Sequence, residues 1–336
     1  IEVLHGPASA LYGSSAIGGV VAMSTIDPRR LARPGSQAGR LLSNWRDDDS
    51  SLTATAMHAV SSNSLSLLAA LSGANGQEAA AGAAENNLDR RDFSNRSALL
   101  KLVADTDLGN SWRATLYHAN GDVHSDATSM LGSGRFRSTT ALVGDDEYDT
   151  HIASLEYGFT TSNRFADDGV IRAWYQASEF TQQTCDERAL AARPVKIERL
   201  FSFRQTAIGL ETNVQKTVLT GQVSHRLSYG FEARHRKTEE YRDGLETGLV
   251  DGQQTSVLLG EVFPLRDFPI SETDEFGAFL EDAVTLGRWS ITAALRADHY
   301  EMRPLVDPMY AADYPFAEPV SISEFELSPK AGLVYQ

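Results

Sequence analysis

The chain has 336 residues, a formal net charge of −15, 42% hydrophobic residues and a mean hydropathy of −0.28. The acidity excludes a nucleic-acid binder, which needs a basic footprint. No run approaches the roughly 18 apolar residues of a transmembrane helix, the richest being 65–71. A membrane β-barrel passes this filter, because only every second residue of its strands meets lipid.

Residues 1–27 read as a small strand-and-turn module. Gly6 and Pro7 end its first strand, and Gly13, Gly18 and Gly19 punctuate turns where a Cβ would clash. Residues 28–37, with Pro28, Arg29, Arg30, Arg33, Pro34 and Gly35, read as a linker without hydrophobic period.

From residue 38 the pattern turns to period two. Val223, His225, Leu227, Tyr229, Phe231 and Ala233 alternate with Gln222, Ser224, Arg226, Ser228, Gly230, Glu232 and Arg234. Trp289, Ile291, Ala293, Leu295 and Ala297 alternate with Ser290, Thr292, Ala294, Arg296 and Asp298. Strict alternation argues strands exposed to two different environments. About twelve strands are predicted on this template, over 38–45, 50–61, 64–73, 93–105, 111–119, 147–159, 169–180, 202–214, 221–236, 274–285, 288–300 and 324–336.

The connections between them sort by parity. Those around 62–63, 106–110, 160–168, 215–220 and 286–287 are short, whereas 74–92, 120–146, 181–201, 237–273 and 301–323 are long. A barrel with tight turns at one rim and long loops at the other explains this, and a soluble sandwich does not. A ten-residue strand tilted by roughly 45° covers about 23 Å, close to the apolar band of about 25 Å in such barrels. Trp45, Trp112, Phe159, Phe180, Trp289, Tyr300 and Tyr335 fall near strand ends, as interfacial girdles would.

The opening carries a family resemblance. Glu2-Val3-Leu4, Gly6-Pro7, Leu11-Tyr12-Gly13, Ala16-Ile17-Gly18-Gly19 and Val20-Val21 resemble the late plug segment of TonB-dependent outer-membrane receptors. His5 stands where that family usually carries arginine, which puts a plug-to-wall contact in doubt. Thr25 to Leu31, Tyr241 to Gly244, 260–269 and Leu327 to Leu333 look like the haem/haemoglobin receptor branch. The resemblance implies an all-β fold: a partial transmembrane antiparallel barrel, about half of an expected 22 strands, with the C-terminal remnant of the plug. It divides the chain into plug (1–27), linker (28–37) and wall (38–336). It further implies transport of haem, or of haem from haemoglobin, across the bacterial outer membrane. The partners it implies are the TonB energy-transducing complex and outer-membrane lipid, with haem as cargo and no permanently bound cofactor. Two open sheet edges in lipid are not tolerable, so further residues are expected beyond 336, as they are before Ile1.

Haem needs an axial histidine or tyrosine. Of the eight histidines, His124 is placed in a long outer loop and His235 and His299 near the outer ends of their strands, and these three are the candidate haem-facing residues. His225 falls on the lipid-facing stripe, and His5 lies in the plug. Glu156, Arg172, Glu211, Arg226, Glu232, Arg234, Arg296 and Asp298 are predicted to face a wet interior. The acidic stretch Gly144 to Glu147 is read as a surface loop.

The glycines lack a Lys-Ser/Thr ending, so no nucleotide loop is predicted. No His-Glu-x-x-His or cysteine-pair spacing suggests a metal, and Cys185, the one cysteine, excludes an internal disulfide. No catalytic constellation is found, so the chain is read as a non-enzyme. The alternatives are a siderophore or other nutrient receptor of the same family, a passive or adhesive barrel, and a soluble β-rich binding module. The plug motif argues against a passive pore.

Overall fold

The computed structural model describes residues 2–5, 19–78, 89–106 and 109–335. The chain begins with a two-stranded pair, β1 (Glu2–His5) and β2 (Gly19–Ala22), in antiparallel register from Glu2 opposite Ala22 to His5 opposite Gly19. Gly19 holds φ at +141°, a conformation only glycine adopts freely. Gly6, Pro7, Gly13, Gly18 and the His5 side chain lie outside the described residues.

The segment predicted as a plain linker instead contains a short helix, α1 (Pro28–Leu31). The Asp27 carboxylate accepts the Arg29 N–H at 2.9 Å, and Pro28 at the first helical position needs no N–H partner. Ala32, just beyond α1, is buried with Ala59 and Leu68, and Ile26, Leu31 and Leu99 pack on that cluster. Apolar contact therefore presses the segment onto one face of the sheet.

That sheet is a single antiparallel run in chain order. It comprises β3 (Ser36–Arg46), β4 (Ser51–Ser61), β5 (Leu65–Gln77), β6 (Arg90–Asp105), β7 (Ser111–Asp126), β8 (Ala141–Thr160), β9 (Asp168–Arg188), β10 (Val195–Thr220) and β11 (Val223–Gly248). After three short strands, β12 (Gln254–Thr255), β13 (Val257–Leu258) and β14 (Glu261–Val262), it continues with β15 (Ile270–Leu286) and β16 (Trp289–Leu305). A second short helix, α2 (Pro308–Asp313), precedes β17 (Ile322–Tyr335). Each predicted strand has its counterpart, in order and with its predicted neighbours.

The differences lie at one rim. β10 and β11 run for 26 residues each. At about 3.3 Å per residue that is roughly 86 Å, more than twice what a strand tilted by about 45° needs to cross a 25 Å band. Residues 181–201 are therefore two strands joined by the short connection 189–194, not a long loop. His124 belongs to β7 and residues 144–147 to β8, so neither occupies a loop. His235 and His299 lie well inside their strands. Periodicity lost sight of these extensions because over 181–188 and 237–244 both faces are mainly polar, which removes the alternation.

Register defines the two faces. Leu102, Ala114, Leu155, Ala173, Leu210, Ala233, Phe276, His299 and Phe325 form one unbroken cross-strand line. Their side chains share the outward face, an exposed apolar belt. Ala59 and Leu68, which carry α1, lie on the opposite, inner face. A sheet with one exposed apolar face and charge on the face that carries α1 is inverted relative to a soluble protein, as lipid outside and water inside require. Among the described residues no helix is long and apolar enough to cross a membrane.

Aromatic pairs mark the short-turn rim of the belt. Trp112 stacks near Tyr157 with ring centroids 4.6 Å apart, and Trp289 near Tyr335 at 4.7 Å. Phe180 and Tyr300, predicted for the girdle, fall on the inner face instead, because each sits at the wrong parity.

Candidate functional site: the inner wall and the outer rim

The inner face carries a ladder of ion pairs running across the strands. Arg113 Nη1 lies 2.6 Å from Glu156 Oε1, Arg172 Nη2 lies 2.7 Å from Glu156 Oε2, and Arg172 Nη1 lies 2.8 Å from Glu211. These contacts follow from register, since Arg113, Glu156, Arg172 and Glu211 are consecutive cross-strand partners from β7 to β10. Farther along the sheet, Arg296 on β16 pairs with Glu232 on β11 and, at 2.7 Å, with Asp298, while Arg234 pairs with Glu275. The Arg296 guanidinium lies across Gly277, where a Cβ would displace it. A wall of this kind stays wetted and presents fixed charge of both signs to whatever fills the interior.

Trp174 adds an aromatic to this face. It lies over Gly209, where a Cβ would come 2.5 Å from the indole carbons. Trp174, Glu211, Glu232, Arg234, Glu275, Arg296, Asp298 and Tyr300 surround a shallow recess on the wall.

Above the belt the long connections are tied to one another. The 249–269 connection folds back as the β13–β14 hairpin, placing Leu258, Phe263 and Leu265 against Val195 and Ile197 in a small buried core. Gly244 makes room for this hairpin, since a Cβ there would meet Leu258 at 2.5 Å. The hairpin turn exposes Leu259, 89% accessible and held at φ +53°. A bulky residue in that conformation is strained by roughly 1–2 kcal/mol, which the buried hairpin flanks offset.

Arg266 joins three elements, donating to the Glu240 carbonyl and, at 2.8 Å, to Asp307. Asp307 also caps α2 by accepting the Tyr310 N–H at 2.9 Å. Burial pushes the Asp307 carboxyl up, but the Tyr310 N–H and the Arg266 guanidinium outweigh it and hold it below its ordinary value. On the neighbouring connections Asp89 accepts the Ser129 N–H and hydroxyl, each at 2.7 Å. These two bonds, the N–H first, hold Asp89 below the ordinary carboxylate range. The rim thus presents large apolar tips, Leu190, Val250, Leu259, Phe316 and Val320, on a tied base.

The predicted haem-facing histidines stand elsewhere. His235 shares the outward face with Ile208 and Ala233, and its Nδ1 lies 2.7 Å from Asp274. His299 lies between Phe276 and Phe325 on that same face. His124 also faces outward, its Nδ1 2.6 Å from Asp145. None of the three points at the inner wall, because their parity is that of the belt residues below them. His225, read as lipid-facing, is on this face and meets Asp282 at 2.8 Å. The eight charged residues predicted to face inward all lie on the inner face.

A 39-residue stretch is 49% identical to a hemin receptor of Yersinia pestis, covering 12% of this chain and 6% of that protein. The siderophore receptor PiuA of Acinetobacter baumannii superposes with a TM-score of 0.65 at 13% identity, over 99% of this chain and 51% of that one. The copper transporter OprC gives 0.64 at 14% identity, over 98% and 47%. The ferric preacinetobactin receptor BauA of Acinetobacter baumannii gives 0.63 at 15%, over 98% and 49%. At these identities the likeness establishes the fold, and this chain spans about half the length of those receptors. The family model for the TonB dependent receptor-like β-barrel matches residues 39–336, nearly the whole of the strand-forming region, so this chain belongs to the TonB-dependent receptor β-barrel family of the bacterial outer membrane.

Proposed function

We propose that the chain supplies part of the wall of an importer that takes up an iron chelate at the cell surface, with haem, free or from haemoglobin, as cargo and the TonB complex as energy source. The stretch shared with the Yersinia hemin receptor carries the haem assignment. The rim supports it chemically: Leu259, Phe316 and Val320 offer apolar contact suited to a flat macrocycle or to a protein that delivers it. The charged inner wall supports transport, since it keeps an aqueous, plug-filled interior beside lipid. The axial ligand would come from residues other than His124, His235 and His299, which face outward.

A second reading, uptake of a ferric siderophore, is favoured by the likeness to PiuA and BauA over almost all of this chain. Titration of the full-length protein in detergent separates the two. Under the haem reading a Soret shift saturates at one haem per receptor, while ferric siderophores leave tryptophan fluorescence unchanged. Saturable siderophore quenching without a Soret shift would overturn haem and establish the second reading.

A further inference from the structure

On β7 and β8 the outward face changes between apolar and polar along the strand. At that boundary on β7 and β8, His118 stands directly opposite His151. Below them lie Leu116 and Ala153, and above them Asn120 and Asp149. The two imidazoles stack with ring centroids 4.4 Å apart and an interplanar angle of 20°. Both turn a nitrogen toward one carboxylate: His151 Nε2 is 2.7 Å from Asp149 Oδ1 and His118 Nε2 is 3.9 Å from Asp149 Oδ2. One ligand atom from each residue lies within 4.8 Å of the others. His118 Nδ1 is shielded and has no hydrogen-bond partner among the described residues.

We propose that His118, Asp149 and His151 form a binding site for a divalent transition-metal ion on the outer wall, separate from the cargo path. Two imidazoles and one carboxylate are the donor set of zinc and copper sites, with copper bound more tightly than zinc. A tetrahedral zinc with bonds of about 2.0–2.1 Å needs ligand atoms roughly 3.3 Å apart. The three donors, now within 4.8 Å of one another, reach that value through rotation of the two stacked imidazoles about their side-chain bonds. The strands need not move, because sheet register already holds the two histidines opposite each other. Calcium and magnesium are disfavoured, since they take oxygen donors. The fourth position faces outward, where water or a headgroup oxygen completes the shell. An ion held there cross-links β7 to β8 and stabilises the folded wall by mass action.

The test uses the full-length protein in detergent micelles after dialysis against EDTA. Zinc(II) is titrated by calorimetry, and copper(II) is added for electron paramagnetic resonance. The expected result is a saturable site with two imidazole nitrogens on copper, and a zinc-dependent rise in the thermal midpoint. His118→Ala and His151→Ala each weaken zinc binding by at least about tenfold, the lower end of what even outer-shell partners of a metal contribute. Each also removes one nitrogen from the copper spectrum while leaving the metal-free midpoint unchanged. His124→Ala, on the same strand but outside the triad, leaves zinc affinity unchanged. Equal zinc affinity in the wild type and both histidine variants would overturn the proposal, as would a copper spectrum without nitrogen couplings.

Discussion

Arg296 is the most consequential charge on the inner wall, and its replacement by glutamine tests whether that wall is a desolvated network or a loose charged surface. The guanidinium is 1% exposed, whereas its partners differ: Asp298 is 17% exposed and Glu232 is 45% exposed. Removing one member of a buried ion pair costs about 3–5 kcal/mol, because the survivor keeps its charge without its partner. Glu232 regains water and contributes little to that penalty, while Asp298 cannot. The expected loss for Arg296→Gln is therefore at the lower end, about 3 kcal/mol, or roughly two decades in the folding equilibrium. Glu232→Gln removes the better solvated partner and costs about 1 kcal/mol, the scale of an exposed pair. Urea unfolding of the full-length protein in micelles, followed by tryptophan fluorescence, measures both. An Arg296→Gln loss below 1 kcal/mol, or one no larger than that of Glu232→Gln, would refute the reasoning. It would mean that the guanidinium across Gly277 is as well hydrated in the folded wall as in the unfolded chain.

Gly209→Ala drives a Cβ into the Trp174 ring and costs about 1–3 kcal/mol by overpacking, and a Trp174→Ala background removes the clash and most of that loss. Leu295→Arg puts a charge on the outward belt, where Leu295 is exposed in the structure, and lowers stability in micelles or bilayers by about 2–4 kcal/mol, which a water-facing site would not do. Asp307→Ala removes the α2 cap and the Arg266 tie, with a loss of about 1 kcal/mol for the cap and faster proteolytic cleavage within 306–321. Asp89→Asn raises the amide exchange rate of Ser129 at neutral pH. Because the folded-state pKa of Asp89 is depressed, its tie is fully present above the ordinary carboxylate range and weakens as pH falls through the lowered value. Cleavage within 127–140 should accordingly accelerate on acidification in the wild type, and show no such acid-dependent step in Asp89→Asn.

Alternation of polarity over residues such as Val223 to Arg234 was enough to count the strands, order them and choose their faces. The reason is that a strand between lipid and water must write both environments into consecutive residues. Loop parity was legible except at 189–194, and so were the eight inward charges. Where the surroundings become aqueous on both faces, as over 181–188 and beyond His235, that constraint lapses, and the extended strands read as loops. His235 and His299, read as candidates from their place near the outer strand ends, share the outward parity of the belt residues. The His118, Asp149 and His151 triad left no trace in sequence spacing. Its members sit 31 and 2 residues apart in the chain and meet only through the pairing of β7 with β8. Periodicity is a local property, fixed by the medium beside each residue. Juxtaposition across strands depends on register, and register exists only once the sheet has formed.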